Sequence, residues 1–207
     1  GRFPGKLPFG SIYPYKTTKN TDLLLDKNVT LVTSLAKGGL SASWGGNISA
    51  VAQDDISDWP VTVTELNPFF EEVFKLIDVS GSPAVYDALQ ATKIPASDYS
   101  NLCEHAKRIL NNIEINQTEL LDRGLYCGRA KVAIGPKYSN GHEGCVSCGF
   151  CMHGCPTGAI FNSADLVKTL TDKRALKYIS QELVVAFSES DDSVRLKLEN
   201  INTGQGS

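Results

Sequence analysis

Four of the chain's six cysteines, Cys145, Cys148, Cys151 and Cys155, fall in one short run that closes on Pro156. Their spacing, C-x2-C-x2-C-x3-C-P, is that of thiolate ligands to an iron–sulfur cluster. A run this crowded is a poor disulfide framework for 207 residues. It suits a reduced, cytoplasmic chain that uses thiols for metal. Cys145, Cys148 and Cys151 supply three ligands, and Cys155, Cys127 or Cys103 completes a 4Fe-4S set; a three-iron cluster needs no fourth. Zinc is the chemical competitor, because four-cysteine zinc sites are common. A third reading leaves the cysteines without metal, packed as small hydrophobes.

A second stretch brings backbone rather than side chains. Gly38, Gly39, Ser41, Trp44, Gly45, Gly46 and Asn47 lie within one Gly/Ser-rich segment around a single tryptophan. Glycines there let the backbone approach something flat or phosphorylated and offer N–H donors, although ordinary turns use the same residues. The three histidines carry less. His105 reads as a surface or satisfied core residue of a helix, and His142 as loop. His153 is a polar loop residue or one that touches a cluster or flavin edge. No Ser/His/Asp arrangement and no H-E-x-x-H motif occurs, so no catalytic residue is assigned in this chain.

The elements that must hold these residues can be read from periodicity. Residues 1–20 carry Pro4, Pro8 and Pro14 and read as an extended loop. Residues 22–36 read as one or two strands, with 29–32 the clearest. Leu66, Phe69, Phe70, Val73, Phe74 and Ile77 make one apolar helical stripe, expected to be core, with Asn67-Pro68 as cap and first-turn proline and Gly81 as stop. Residues 82–96 connect to a second helix after Ser97 or Asp98, with Leu102, Ala106, Ile109, Leu110 and Ile113 on one face. Cys103 beside that face is expected to be buried. Ser163 caps a short helix to Leu170. Residues 183–187 and 194–198 read as strands about a polar turn.

The class expected is α+β in three parts: 1–63, a Gly-rich loop region; 64–140, a helical segment; and 141–207, the cysteine run and terminal antiparallel strands. Charge and composition exclude other classes. Hydrophobic residues are 42% and charged residues 21%, which is globular usage. A net charge of −3 without a Lys/Arg block makes a poor nucleic-acid binder. The apolar runs are too short for a membrane span, and no signal peptide is visible. Met152 is the only methionine, and the chain closes on Gly204-Gln205-Gly206-Ser207 after an apparent strand. It reads as a piece of a longer polypeptide, the alternative being a small chain with a processed amino terminus.

In their order, these blocks resemble the glucose–methanol–choline (GMC) family of FAD-dependent oxidoreductases, bacterial type with a cysteine run. Gly38-Gly39-Leu40-Ser41 through Trp44-Gly45-Gly46 is similar to the family's flavin-lining segment. Asp54 through Asp58-Trp59-Pro60, with Glu65-Leu66-Asn67-Pro68-Phe69-Phe70, resembles its D-x-x-x-W-P and E-L-x-P-Y-Y stretch. Gly128-Arg129-Ala130 and the cysteine run with Phe161-Asn162-Ser163 complete the match. The run alone, with Thr157-Gly158-Ala159-Ile160, also looks like a ferredoxin signature.

The resemblance implies the central part of an FAD-dependent alcohol, sugar or polyol dehydrogenase. Gly38, Gly39, Ser41, Trp44, Gly45, Gly46 and Asn47 would lie against FAD. Cys145, Cys148, Cys151 and Cys155 would hold an iron–sulfur relay to an electron-acceptor protein. The family's G-x-G-x-x-G strand and its catalytic histidine segment have no counterpart here, so the chain alone is expected neither to hold FAD tightly nor to turn over substrate. The remainder of the polypeptide would then be a partner. Two readings from other classes stay open: a small iron–sulfur electron carrier without flavin, and a catalytically inert structural fragment.

Overall fold

The computed structural model describes residues 6–7, 10–11, 34–49, 51–81, 94–98, 101–136, 143–151 and 155–206. Residues 22–33, most of 82–96, His142 and His153 lie outside the described residues, so the strand expected at 29–32 and the roles weighed for the two histidines fall there. The chain is α+β and divides into two units, Gly1–Asp165 and Leu166–Ser207.

In the first unit, β1 (Lys6–Leu7) pairs antiparallel with β2 (Gly10–Ser11). β3 (Asn47–Ile48) pairs antiparallel with β4 (Lys131–Val132). Residues 131–135 form the hub of this unit. Ala133 N donates to Gly46 O at 2.6 Å, Val132 and Ser80 exchange both backbone bonds, and Phe161 N donates to Ala133 O at 2.8 Å. Beyond Ser80 the pairing continues to Ser97, through Gly81 N to Ser97 O and Ser97 N to Val79 O. The side chains follow the backbone. Ala133 and Ser80 are fully buried, as are Ile134 and Ile160 nearly so. One apolar cluster joins Val79 and Ile94 with Ile48, Phe74, Ile77 and Ala96; the other joins Ile134, Ala159 and Ile160 with Trp44, Val132, Cys145 and Cys155.

Helix α1 runs Val63–Phe74. Its cap is Thr62, not Asn67-Pro68, which lie inside the helix. Thr62 Oγ1 accepts from Glu65 N, and Glu65 Oε2 accepts from Thr62 N at 2.8 Å, a reciprocal capping box that satisfies two otherwise orphaned donors. Pro68 removes one intrahelical donor. The helix stops at Phe74, short of Gly81.

The apolar stripe is not all core. Leu66, Phe70, Phe74 and Ile77 are half-buried, whereas Phe69 is 69% exposed and Val73 and Leu76 are exposed too. Positions four apart along 66, 70 and 74 share one line of the helix; Phe69 and Val73 sit on the next line, beyond the width the core covers.

Helix α2 (Glu104–Ile115) half-buries Leu102, Ala106, Leu110 and Ile113 as expected, but leaves Ile109 exposed. Cys103 is its N-cap residue and is exposed, against the expected burial: a side chain at the helix end leaves the face its neighbours bury. His105 is exposed on this helix. A short helix α3 (Gln117–Asp122), not foreseen from the sequence, follows directly after Asn116, with Leu120 and Leu121 half-buried.

Helix α4 (Ser163–Asp172) starts in the first unit and ends in the second. Its capping side chain is Asn162 instead of Ser163, since Asn162 Oδ1 accepts from Ala164 N at 2.9 Å, and it reaches two residues past Leu170. In the second unit β5 (Glu182–Ser190) and β6 (Ser193–Asn200) form an antiparallel hairpin about Asp191-Asp192, with a bulge between Val184 and Ala186. Both expected strands are present and longer, so the turn is narrower. Val184 faces Leu198 and Phe187 faces Leu196. Val184, Phe187, Val194 and Leu196 are exposed. Among the described residues no helix is long and apolar enough to cross a membrane.

The Thr62 amide, and then its hydroxyl, hold the Glu65 carboxyl below its ordinary range. A depressed folded-state value means that this capping contribution is complete at neutral pH and fades as acid takes the pH down through the lowered value. Thr62→Ala is expected to cost about 1 kcal/mol at pH 7 in urea unfolding. The difference from the parent chain should shrink below the ordinary carboxylate range; a gap that stays constant with pH counts against the capping box as its source.

Candidate functional site

The cysteine run lies where left-handed residues turn the chain repeatedly. Gly144, Ser147, Gly149 and Gly158 all have positive φ, and Ser147 does so at 56° with a side chain to accommodate. Such turns direct amide hydrogens into concavities that suit anionic sulfur. Ser147 N donates to Cys145 Sγ at 3.4 Å, and Ala159 N donates to Cys155 Sγ at 3.2 Å. The Thr157 hydroxyl lies 3.4 Å from the same sulfur and donates to Gly144 O at 2.9 Å. All six cysteines are free thiols.

The four run cysteines share one electrostatic neighbourhood but differ in it. Burial pushes the Cys151 thiol up, and Cys145, Cys155 and Cys148 add to the rise. Burial pushes Cys155 up as well, but the Thr157 hydroxyl and the amides of Ile160, Thr157 and Ala159 outweigh it and hold the thiol below its ordinary value. Cys155 is thus the fourth cysteine whose charge Cys151 feels, while Cys103 sits at the start of α2 beside Lys107. Among the described residues, no three of His, Cys, Asp and Glu gather around one ion position. Tetrahedral zinc with Zn–S of about 2.3 Å needs sulfurs about 3.8 Å apart. A cluster spreads its thiolates over several irons, and four thiols hydrogen-bonded from backbone amides are the donor chemistry such a group takes.

The Gly/Ser/Trp segment is built onto the same body. Gly38 adopts φ 87° and precedes a 3-10 turn, Gly39–Ala42. A Cβ on Gly38 would lie 2.6 Å from Asn162 Oδ1 and 2.8 Å from Ala164 N, so glycine is required for this approach. Ser41 Oγ donates to Gly38 O at 2.6 Å and accepts from Ser163 N at 2.9 Å. Trp44 Nε1 donates to Phe161 O at 2.7 Å. The indole therefore anchors the segment, with its ring packed on the Ile134, Ala159 and Ile160 cluster. Gly46 is buried and approaches Ile160 and Ala133 so closely that a Cβ would meet Ile160 Cγ2 at 3.0 Å. Gly39, by contrast, has open space around it, and Asn47 is exposed beside β4.

The structure thus brings together Gly38, Ser41, Trp44 and Gly46 with the residues that follow the cysteine run, and seats Cys145 and Cys155 on the cluster that Trp44 packs against. Gly45 is half-buried within the same segment, and Cys148 and Cys151 are exposed at the rim of the run. Asp55 and Glu65 from the D-x-x-x-W-P and E-L-x-P stretch serve local structure: Asp55 Oδ2 accepts from Ala52 N, and Glu65 completes the α1 cap. Arg129 pairs with Asp98 at 2.8 Å. Sequence reasoning did not single out Thr157, Asn162 or residues 131–135 for what they do. Their roles lie in long-range hydrogen bonds, which leave no local pattern. Comparison with protein-family models finds none that matches the chain, and no curated protein matches it.

Gly38→Ala is expected to destabilise the chain beyond the roughly 1 kcal/mol that a left-handed backbone alone costs an alanine. Gly39→Ala, at φ 58° in open space, should cost that backbone penalty and no more. Urea midpoints of the two variants compare them directly, and equal losses would remove the Asn162–Ala164 contact as the reason for glycine.

Proposed function

We propose that the chain is the flavin-lining and cysteine-bearing part of a GMC-type, FAD-dependent dehydrogenase acting on an alcohol, sugar or polyol. The observation that carries this reading is the joining of two distant blocks: Ser41 bonds Ser163 and Trp44 bonds Phe161, just past the cysteines. FAD, when bound, supplies a two-electron acceptor for the hydrogen of a carbon bearing a hydroxyl, and a cluster supplies one-electron transfer. Cys145, Cys148, Cys151 and Cys155 would hold the cluster. Gly38, Gly39, Gly45 and Gly46 would let backbone approach FAD, with Ser41 and Trp44 fixing that backbone and Asn47 free to face outward. The protein's part is orientation and the exclusion of water, and the base for the hydroxyl proton is not among the residues assigned here.

The exposed apolar side of the β5–β6 hairpin supports a role as strands that continue into the remainder of an FAD-domain sheet, because an isolated hairpin is marginal in water. An electron-acceptor protein is the other partner. The four-thiol donor set equally favours a second reading, a small iron–sulfur carrier without flavin, and tryptophan fluorescence separates the two. Trp44 and Trp59 are the only tryptophans. With FAD in large excess, quenching is expected in Trp59→Phe, which reports Trp44, and not in Trp44→Phe. Equal behaviour of the two variants would remove the flavin half of the reading. Anaerobic preparation with ferrous iron and sulfide should give iron and acid-labile sulfide in near-equal amounts. Cys155→Ser should lower both, whereas zinc alone would make the run a structural staple.

A further inference from the structure

Thr157 lies between the two ends of the cysteine run. Its hydroxyl donates to the carbonyl of Gly144, the residue just before Cys145, at 2.9 Å, and stands 3.4 Å from Cys155 Sγ. It is half-buried, and both Cys145 and Cys155 pack on the Ile134, Ala159 and Ile160 cluster. No other described side-chain hydroxyl is recorded against a cysteine sulfur, so the Cys155 end differs from the Cys145 end, which receives one amide from Ser147.

We propose that Thr157 is a positioning residue that closes the cysteine run from Gly144 to Cys155 and raises the reduction potential of a cluster held there. This rests on the cluster half of the reading above. The hydroxyl has one proton and two acceptors in reach. A sulfur bound to iron has no proton of its own to give, so at that atom the hydroxyl acts as donor. Donation to a ligand sulfur stabilises the more negative, reduced state, one of the protein's means of setting cluster potentials. With Ala159 N on the same sulfur, Cys155 becomes the best hydrogen-bonded ligand position of the run.

The test uses the full chain, reconstituted anaerobically with ferrous iron and inorganic sulfide, followed by a potentiometric titration read by electron paramagnetic resonance. Thr157→Val removes the hydroxyl at similar shape; Thr157→Ser keeps it. The valine variant is expected to lower the reduced-to-oxidised ratio at a fixed potential up to tenfold, a shift of at most about 59 mV for one electron. The serine variant should match the parent chain. A valine variant that loses the cluster while the serine variant keeps it at the parent potential also supports the tether. An unchanged potential in Thr157→Val overturns this inference and leaves the cluster reading standing, as does equal loss in both variants. A parent chain that takes up no iron and sulfide overturns both together.

Discussion

Residues 131–135 are the constraint on which the first unit depends. A single short extended segment exchanges backbone bonds with Gly46, Ser80, Ala159 and Phe161, four partners drawn from widely separated parts of the chain. Buried amides and carbonyls must be paired, so these contacts are obligatory once Ala133 and Ile134 are taken out of water. Everything placed near the site inherits its position from that requirement. The glycine-rich segment is held at Gly46, the end of the cysteine run at Ala159, and the start of α4 at Phe161.

The hub also explains the division of labour between polar and apolar contacts. Ile134, Ala159 and Ile160 supply the apolar surface on which Trp44, Cys145 and Cys155 rest. Direction comes from hydrogen bonds: Trp44 to Phe161, Ser41 to Ser163, and the amides that point at Cys145 and Cys155. Hydrophobic burial has no preferred orientation. A site that must aim sulfur and backbone at a cofactor therefore needs the second kind of contact, and it is concentrated at residues 38–46 and 155–163. The surface ion pairs, such as Lys107 with Glu104 and Arg123 with Glu119, are exposed and contribute little by comparison.

Local chemistry was legible wherever neighbours in sequence are also neighbours in space. The hairpin at 182–200 follows from alternation about Asp191-Asp192, and the buried face of α2 from Leu102, Ala106, Leu110 and Ile113. The errors share a cause. Phe69, Val73 and Ile109 fit a helical apolar period but stand outside the strip that the core covers. Cys103 fits it too, but the helix begins one residue later and turns it outward. Thr62 was passed over for Asn67-Pro68 because a proline is a conspicuous start signal, whereas a Thr-x-x-Glu box is recognised only when both of its bonds are seen.

The sequence by itself determined the donor set, four thiols at iron–sulfur spacing, and the glycines that permit a close backbone approach. It also determined the α+β class, because helical and alternating periods are properties of consecutive residues. Only the tertiary structure decided that the Gly38–Ser41 turn rests on Asn162 and Ser163, that Trp44 is an anchor, and that Thr157 spans the run. Those contacts cross up to 122 positions of chain, and Thr157 reaches Gly144 across 13. No periodicity encodes such pairs; they exist only once burial of Ala133 and Ile134 has fixed which backbone groups must find each other.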